Sequence, residues 1–193
     1  MKDTKQRILL EGAKLVHLKG FGATGIQEIL KAAEVPKGSF YFYFDSKESF
    51  GIELIDYFKG YIYLMWDRLM DSEKLSPLES LQSFIEWFID FNRSNGYKGG
   101  CPFGNLGQEM GDVSDRFREK LFTVFGEFKQ KIKDQLEKAI VFGELEKDVD
   151  TDGLSNLFFS CYQGALIQMK VEQSSESMEY LRTLLFQLIR SKA

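Results

Sequence analysis

Residues 23–48 read ATGIQEILKAAEVPKGSFYFYFDSKE, and the reading of this stretch decides the fold. Ile26, Ile29, Leu30 and Ala33 recur three and four apart, the spacing that gathers side chains on one face of a helix. Thr24 stands where its hydroxyl can cap that helix, and Val35 ends it, because the residue before a proline is biased away from helical dihedrals. Pro36 suits the first position of a second short helix, which opens on Lys-Gly-Ser and closes on aromatic residues. Phe40 and Phe44, four apart, are expected in the core. Asp45-Ser46-Lys47-Glu48 has the form of a capping box with Asp45 as the cap, so a longer helix starts there and runs to about Met70.

Two short helices separated by about three residues have the spacing of a helix-turn-helix, whose second helix enters a major groove with its N-terminal residues toward base edges. Charge points the same way. The chain carries a formal net charge of -4, but residues 1–50 hold eight Lys and Arg against six Asp and Glu, whereas the remainder holds seventeen against twenty-three. Only the N-terminal part is therefore suited to face phosphates. Lys37 and Lys47 each fall in the first turn of a helix, where the macrodipole disfavours a cation, and a bound anion would reverse that penalty. Gly38 would let the backbone approach such a partner closely.

Upstream, a first helix is expected from Asp3 to Lys19, with Ile8, Gly12, Leu15 and Val16 inward and Gly20 as its stop. His17, the one histidine, reads as a surface residue. The run RILLEGAKLVHLKGFGATGIQEILKAAEVPKGSFYFYFDSKESF, Arg7 to Phe50, resembles the N-terminal domain of the TetR family of bacterial transcriptional regulators. The resemblance rests on Gly-Phe-Gly-Ala-Thr after the first helix, Ile-x-x-Ile in the second, Lys-Gly-Ser-Phe-Tyr, then Tyr-Phe and Ser-Lys-Glu. It implies phosphate contacts from Thr24, Lys37, Tyr41, Tyr43 and Lys47, and places Gln27, Gly38 and Ser39 near base edges. Phe42 departs from the family pattern, where histidine is frequent. Either a phosphate hydrogen bond is lost there or a thymine methyl contact is gained.

Downstream, Phe50, Leu54, Tyr57, Phe58, Tyr61, Ile62, Met65 and Leu69 keep helical spacing along the fourth helix. Ser76-Pro77-Leu78-Glu79 is a second capping box, opening a fifth helix to about Ser94 with a broad apolar face and Trp87 off it. Residues 96–112, GYKGGCPFGNLGQEMGD, are rich in glycine, and Pro102 can start a short sixth helix there. No strand precedes this stretch and no Gly-Lys-Ser/Thr follows it, so close helix packing beside a pocket is a better reading than a phosphate loop. A seventh helix spans about Ser114 to Phe142, stopped by Gly143, and residues 144–150 read as an exposed acidic link. Helices at about 151–172 and 177–191 end the chain. Leu154, Leu157, Phe158, Cys161, Ala165 and Met169 mark the first, and Met178, Leu181, Leu185, Leu188 and Ile189 the second.

The expected fold is all-α with about nine helices: a three-helix DNA-binding domain over residues 1–48, then a helical ligand-binding and dimerisation domain over 49–193. Three prolines in 193 residues agree with that, and 18 phenylalanines require a large buried or cavity-lining aromatic area. Trp87, Phe91, Cys101, Phe103, Phe125 and Tyr162 are the candidate lining of an effector pocket. No apolar run long enough to cross a membrane and no signal sequence is seen, so a cytoplasmic protein is expected. Cys101 and Cys161 read as buried thiols, and no metal spacing, cofactor motif or catalytic set is present, which argues against an enzyme. The family resemblance implies a homodimer through the last two helices, a double-stranded near-palindromic DNA operator as partner, and a repressor released by a small, largely apolar or aromatic effector. The alternative is a helix-turn-helix adaptor that binds protein or DNA without ligand control.

Overall fold

The computed structural model describes residues 4–72 and 74–190. Among them are α1 (Thr4–Lys19), α2 (Ile26–Ala32), a 3-10 turn at Lys37–Ser39 leading into α3 (Phe40–Tyr43), and α4 (Lys47–Met70). Then follow α5 (Pro77–Ser94), α6 (Pro102–Met110), α7 (Asp115–Val141), α8 (Thr151–Glu172) and α9 (Glu176–Arg190). The all-helical class and the number of helices are as the sequence predicts. Asp3 and residue 191, where the first and last helices were expected to begin and end, lie outside the described residues.

The chain divides into two compact units. One takes the described residues up to Ile62 together with Cys101–Thr123, and the other takes Tyr63–Gly100 with the described residues from Val124 onward. Helices α4 and α7 contribute to both.

In the first unit the core is aromatic. Phe40, Phe44 and Phe50 are buried, with ring centroids 5.2 Å apart for Phe40–Phe44, 5.7 Å for Phe40–Phe50 and 5.2 Å for Phe44–Phe50. Each buried ring contributes roughly 1.5–3 kcal/mol of transfer free energy. Ile8, Leu9, Ile29 and Leu30 complete the seal between α1 and α2. Phe21, in the α1–α2 turn, lies 5.1 Å from Phe117 of α7 over the backbone of Gly51. A Cβ at position 51 would come 2.3 Å from the Phe117 ring and 2.7 Å from that of Phe21, so only glycine admits this packing. His17 is half-buried, 6.2 Å from Phe58, rather than on the surface.

Four local expectations are corrected. Thr24 does not cap α2: Gly25 is the N-cap residue, and the Thr24 hydroxyl donates instead to the Gly20 carbonyl at 2.7 Å. The stop of α2 comes one residue before Val35. Glu34 adopts φ +54°, Val35 N–H donates to Leu30 O and Glu34 N–H to Lys31 O, which is a Schellman termination without its usual glycine. Pro36 precedes the 3-10 turn instead of occupying its first position. The cap of α4 is Ser46, whose Oγ accepts from Ser49 N–H at 3.0 Å, so Asp45 and Glu48 form no box. The second box, at Ser76 and Glu79, is formed as expected.

Left-handed backbone at Glu34 costs about 1–2 kcal/mol, against the about 0.4–1 kcal/mol that glycine loses through unfolded-chain entropy. Glu34→Gly is therefore expected to stabilise the first unit by about 0.5–1 kcal/mol. Urea titration followed by amide exchange in α1 and α2 measures it, and a lower midpoint would contradict the assigned strain.

The second unit is held by α5, α8, α9 and the distal halves of α4 and α7. Trp66 packs edge-on against Phe84 at 4.8 Å, and Leu78, Leu81, Ile85, Phe88 and Ile89 fill the remaining face of α5. The buried face of α8 is Ser155, Phe158, Phe159, Tyr162, Ala165, Leu166 and Met169. Leu157 and Leu188, on the marked apolar positions of α8 and α9, are exposed. The acidic link is not wholly exposed either: Leu145 is buried, and Glu144 accepts from Ser76 Oγ and from Leu78 N–H.

Candidate nucleic-acid interface

The outward face of residues 37–43 follows from helix geometry. Successive residues rotate by about 100°, so with Phe40 fixed in the core, Phe42 must face the opposite way. Phe40 is 0% exposed, Tyr41 67% and Phe42 84%. Lys37 and Gly38 are exposed at the start of the 3-10 turn, Ser39 and Tyr43 are half-buried, and a Cβ built at Gly38 would meet nothing within 4 Å. Gln27 is exposed on α2. All of these residues belong to the first unit.

Lys47 is the first residue of α4 and is folded back on the α1–α2 turn. Its Nζ donates to the Gly22 carbonyl at 3.3 Å and lies 4.8 Å from the Phe21 ring centroid. Neither contact is strong, and a phosphate oxygen would offer a charge-assisted alternative. Thr24 is the exception among the expected contacts. It is 0% exposed and its hydroxyl is committed to Gly20, so its side chain presents nothing to a phosphate in this conformation.

One carboxylate that the sequence did not announce as a contact braces the same turn, and a second ties α4 to the start of α7. Glu109 of α6 accepts from Gly22 N–H at 2.9 Å. Glu48 accepts from the Ser114 hydroxyl at 2.5 Å and from Arg116 at 3.1 Å. The Ser114 hydrogen bond, with Arg116 behind it, outweighs desolvation and holds the Glu48 carboxyl below its ordinary range. Gly22 and Glu109 are 87 residues apart, and no local pattern announces such a contact.

The six expected pocket residues are divided between the two units. In the second unit Trp87 stands 5.9 Å from Phe91, and both join Phe84 and Phe88 in a ring cluster that reaches Tyr162, 5.4 Å from Phe88. Phe125 stands 5.1 Å from Phe159 in the same unit. Cys101 and Phe103 are buried in the first unit, where the Cys101 thiol sits at the N-cap of α6 and accepts from Gly104 N–H at 3.4 Å. Cys161 is half-buried, not buried as expected, and neither cysteine is in a disulfide. A groove of 480 Å³ in the second unit, floored by Leu154, Leu157, Leu185 and Ile189 and rimmed by Glu146 and Asp148, contains none of the six. Among the described residues no cluster of three or more His, Cys, Asp or Glu is placed to hold a metal, and no helix is long and apolar enough to cross a membrane.

Residues 8–54 match the family model described as bacterial regulatory proteins, tetR family, and residues 77–185 match that of a tetracyclin repressor-like C-terminal domain. The chain is 36% identical over 167 residues to the transcriptional regulator AcuR of Cereibacter sphaeroides, covering 86% of this chain and 76% of that one. It is 26% identical to the HTH-type transcriptional repressor DhaR of Mycobacterium sp. strain GP1, covering 96% of this chain and 91% of the relative. The crystal structure of regulatory protein TetR from Rhodobacter sphaeroides superposes with a TM-score of 0.89 at 34% identity, over 94% of this chain and 96% of that one.

Proposed function

We infer the function from one premise: this chain belongs to the tetR family of bacterial regulatory proteins. Its relatives are DNA-binding transcriptional regulators, repressors among them, and not enzymes. The finer reading is a homodimeric repressor that holds a near-palindromic operator and is released by a small, largely apolar or aromatic molecule. It acts in the cytoplasm, where bacterial operators are. Residues 1–48 read DNA, and residues 49–193 bind the effector and the second copy.

The observation that carries this reading is the outward face of residues 37–43, where Lys37, Gly38 and Tyr41 are exposed beside a sealed Phe40. Lys37, Tyr41, Tyr43 and Lys47 meet phosphates in this reading, and Gln27, Gly38 and Ser39 approach base edges. Two copies would set their recognition helices in successive major grooves, about 34 Å apart. An effector that binds one arrangement of the heads better than the other lowers operator affinity by that difference. The ring cluster of Trp87, Phe91 and Tyr162 is the favoured place for it. Glu109 on α6 and Phe117 on α7 hold the turn to which Lys47 is tied, so a displacement of either helix is felt at a phosphate contact.

The dimer surface in this reading is the exposed apolar stripe of Leu157, Ile167 and Val171 on α8 with Tyr180, Leu184 and Leu188 on α9. Gly164 lies in the α8 stripe, and a Cβ there would meet nothing within 4 Å. Intrachain packing thus does not require a residue that weakens a helix by about 1 kcal/mol, whereas close approach of a second helix does.

Single substitutions test the reader. Lys47→Ala is expected to weaken binding to all duplexes and to flatten the salt slope by about one unit, as loss of one phosphate contact does. Gln27→Ala is expected to change the preferred sequence. Equal loss on specific and random duplex for both variants, read by fluorescence anisotropy across a salt series, would refute the assignment.

A further inference from the structure

We propose that Phe42 reads the 5-methyl group of one thymine in each half-site, and so sets sequence preference where no hydrogen bond can. The proposal rests on the reading of this face as the DNA reader, and adds a residue that the hydrogen-bonding set leaves out.

Phe42 is 84% exposed in the middle of a one-turn helix whose other phenylalanine, Phe40, is 0% exposed. Folding therefore does not use the ring. Its orientation is fixed nonetheless: the half-buried Tyr43 meets it edge to face, with centroids 5.1 Å apart and planes at 81°. An isolated apolar ring held rigidly toward solvent needs an occupant, and its surroundings select one. Lys37 stands five positions before it and Lys47 five after, so the neighbouring charge favours a polyanion over an apolar protein surface. The ring has no donor or acceptor and gives a phosphate nothing. On the edges of a duplex in the major groove, the apolar feature available to it is the thymine methyl. Of the two outcomes the sequence left open at this position, the geometry points to the gained methyl contact.

The test starts from a duplex that the protein itself selects from a random library. Each thymine is replaced in turn by deoxyuridine, which removes the methyl and nothing else, and affinity is measured by anisotropy at fixed salt. One position per half-site is expected to lose affinity about fourfold, and the doubly substituted duplex about fifteenfold, the factor for burying one methyl group and its square. Phe42→Ala should bind the thymine and deoxyuridine duplexes alike while melting as the parent does, and Phe42→Leu should keep part of the distinction. If no thymine is sensitive, or if Phe42→Ala keeps the sensitivity, the proposal is wrong although the DNA-reading assignment stands. If the protein enriches no sequence at all, that assignment fails and the proposal falls with it.

Discussion

Leu184→Asp combined with Leu188→Asp is expected to leave a folded monomer whose operator affinity is lower by at least about 100-fold. The two leucines are 53% and 62% exposed, so neither change empties the core of one chain, and each alone should shift monomer stability by only about 0.5 kcal/mol. In the proposed dimer the same stripe would meet itself across a two-fold axis, which would place four carboxylates in one apolar interface. Desolvating them without partners costs several kcal/mol, more than the surplus that holds most dimers together. The effect on DNA follows from effective concentration. Once one head of a dimer is bound, the second is confined near its half-site at millimolar levels, which raises affinity by about 10²–10⁴ over one head. Sedimentation velocity and anisotropy on whole and half operators read both quantities. A variant that still sediments as a dimer would remove α8 and α9 from the interface. A monomer with undiminished operator affinity would make the dimer irrelevant to recognition.

Why this stripe was only half legible is physical. Periodicity along α8 and α9 identifies apolar positions but does not say which of two apolar faces one chain buries and which it presents. Spacing marked Leu157 and Leu188 as apolar without saying which side they take; both are exposed, whereas Phe159 and Phe186, which it did not mark, are buried. The first unit was easier, because its signals are local. Pro36 and the aromatic run each constrain a few neighbouring residues, and the elements they bound form within a residue or two of the expected limits. The misses there are also local in kind. Thr24 and Asp45 are both acceptable caps by type, and the choice was made by burial in one case and by the hydroxyl one position later in the other. What no reading of neighbours could supply is the bracing of the α1–α2 turn by Glu109 and Phe117, and the tie between Ser114 and Glu48 of α4. These depend on side chains brought together from the two ends of the first unit's discontinuous sequence.

Phe40→Ala and Phe42→Ala are expected to behave as opposites, although they change the same residue type two positions apart. Phe40 lies against Phe44 and Phe50 with no exposure, so its removal forfeits the transfer of a whole ring and leaves a cavity bounded by two rings that cannot both relax into it. Losses of about 3–5 kcal/mol are usual for such a deletion, and α3, with four residues and a 3-10 lead, has no stability of its own to set against it. Amide exchange in α1 to α3 should therefore approach that of a locally unfolded segment, and DNA binding should vanish on every sequence. Phe42→Ala removes a ring with 84% exposure, and stability should change by no more than about 0.5 kcal/mol while only the discrimination among duplexes falls. Thermal unfolding, amide exchange and anisotropy on the selected and random duplexes distinguish the two. Comparable destabilisation by both variants would mean that α3 is not oriented as described. A Phe40→Ala protein that kept specific binding would mean that the aromatic core is not what presents the reading face.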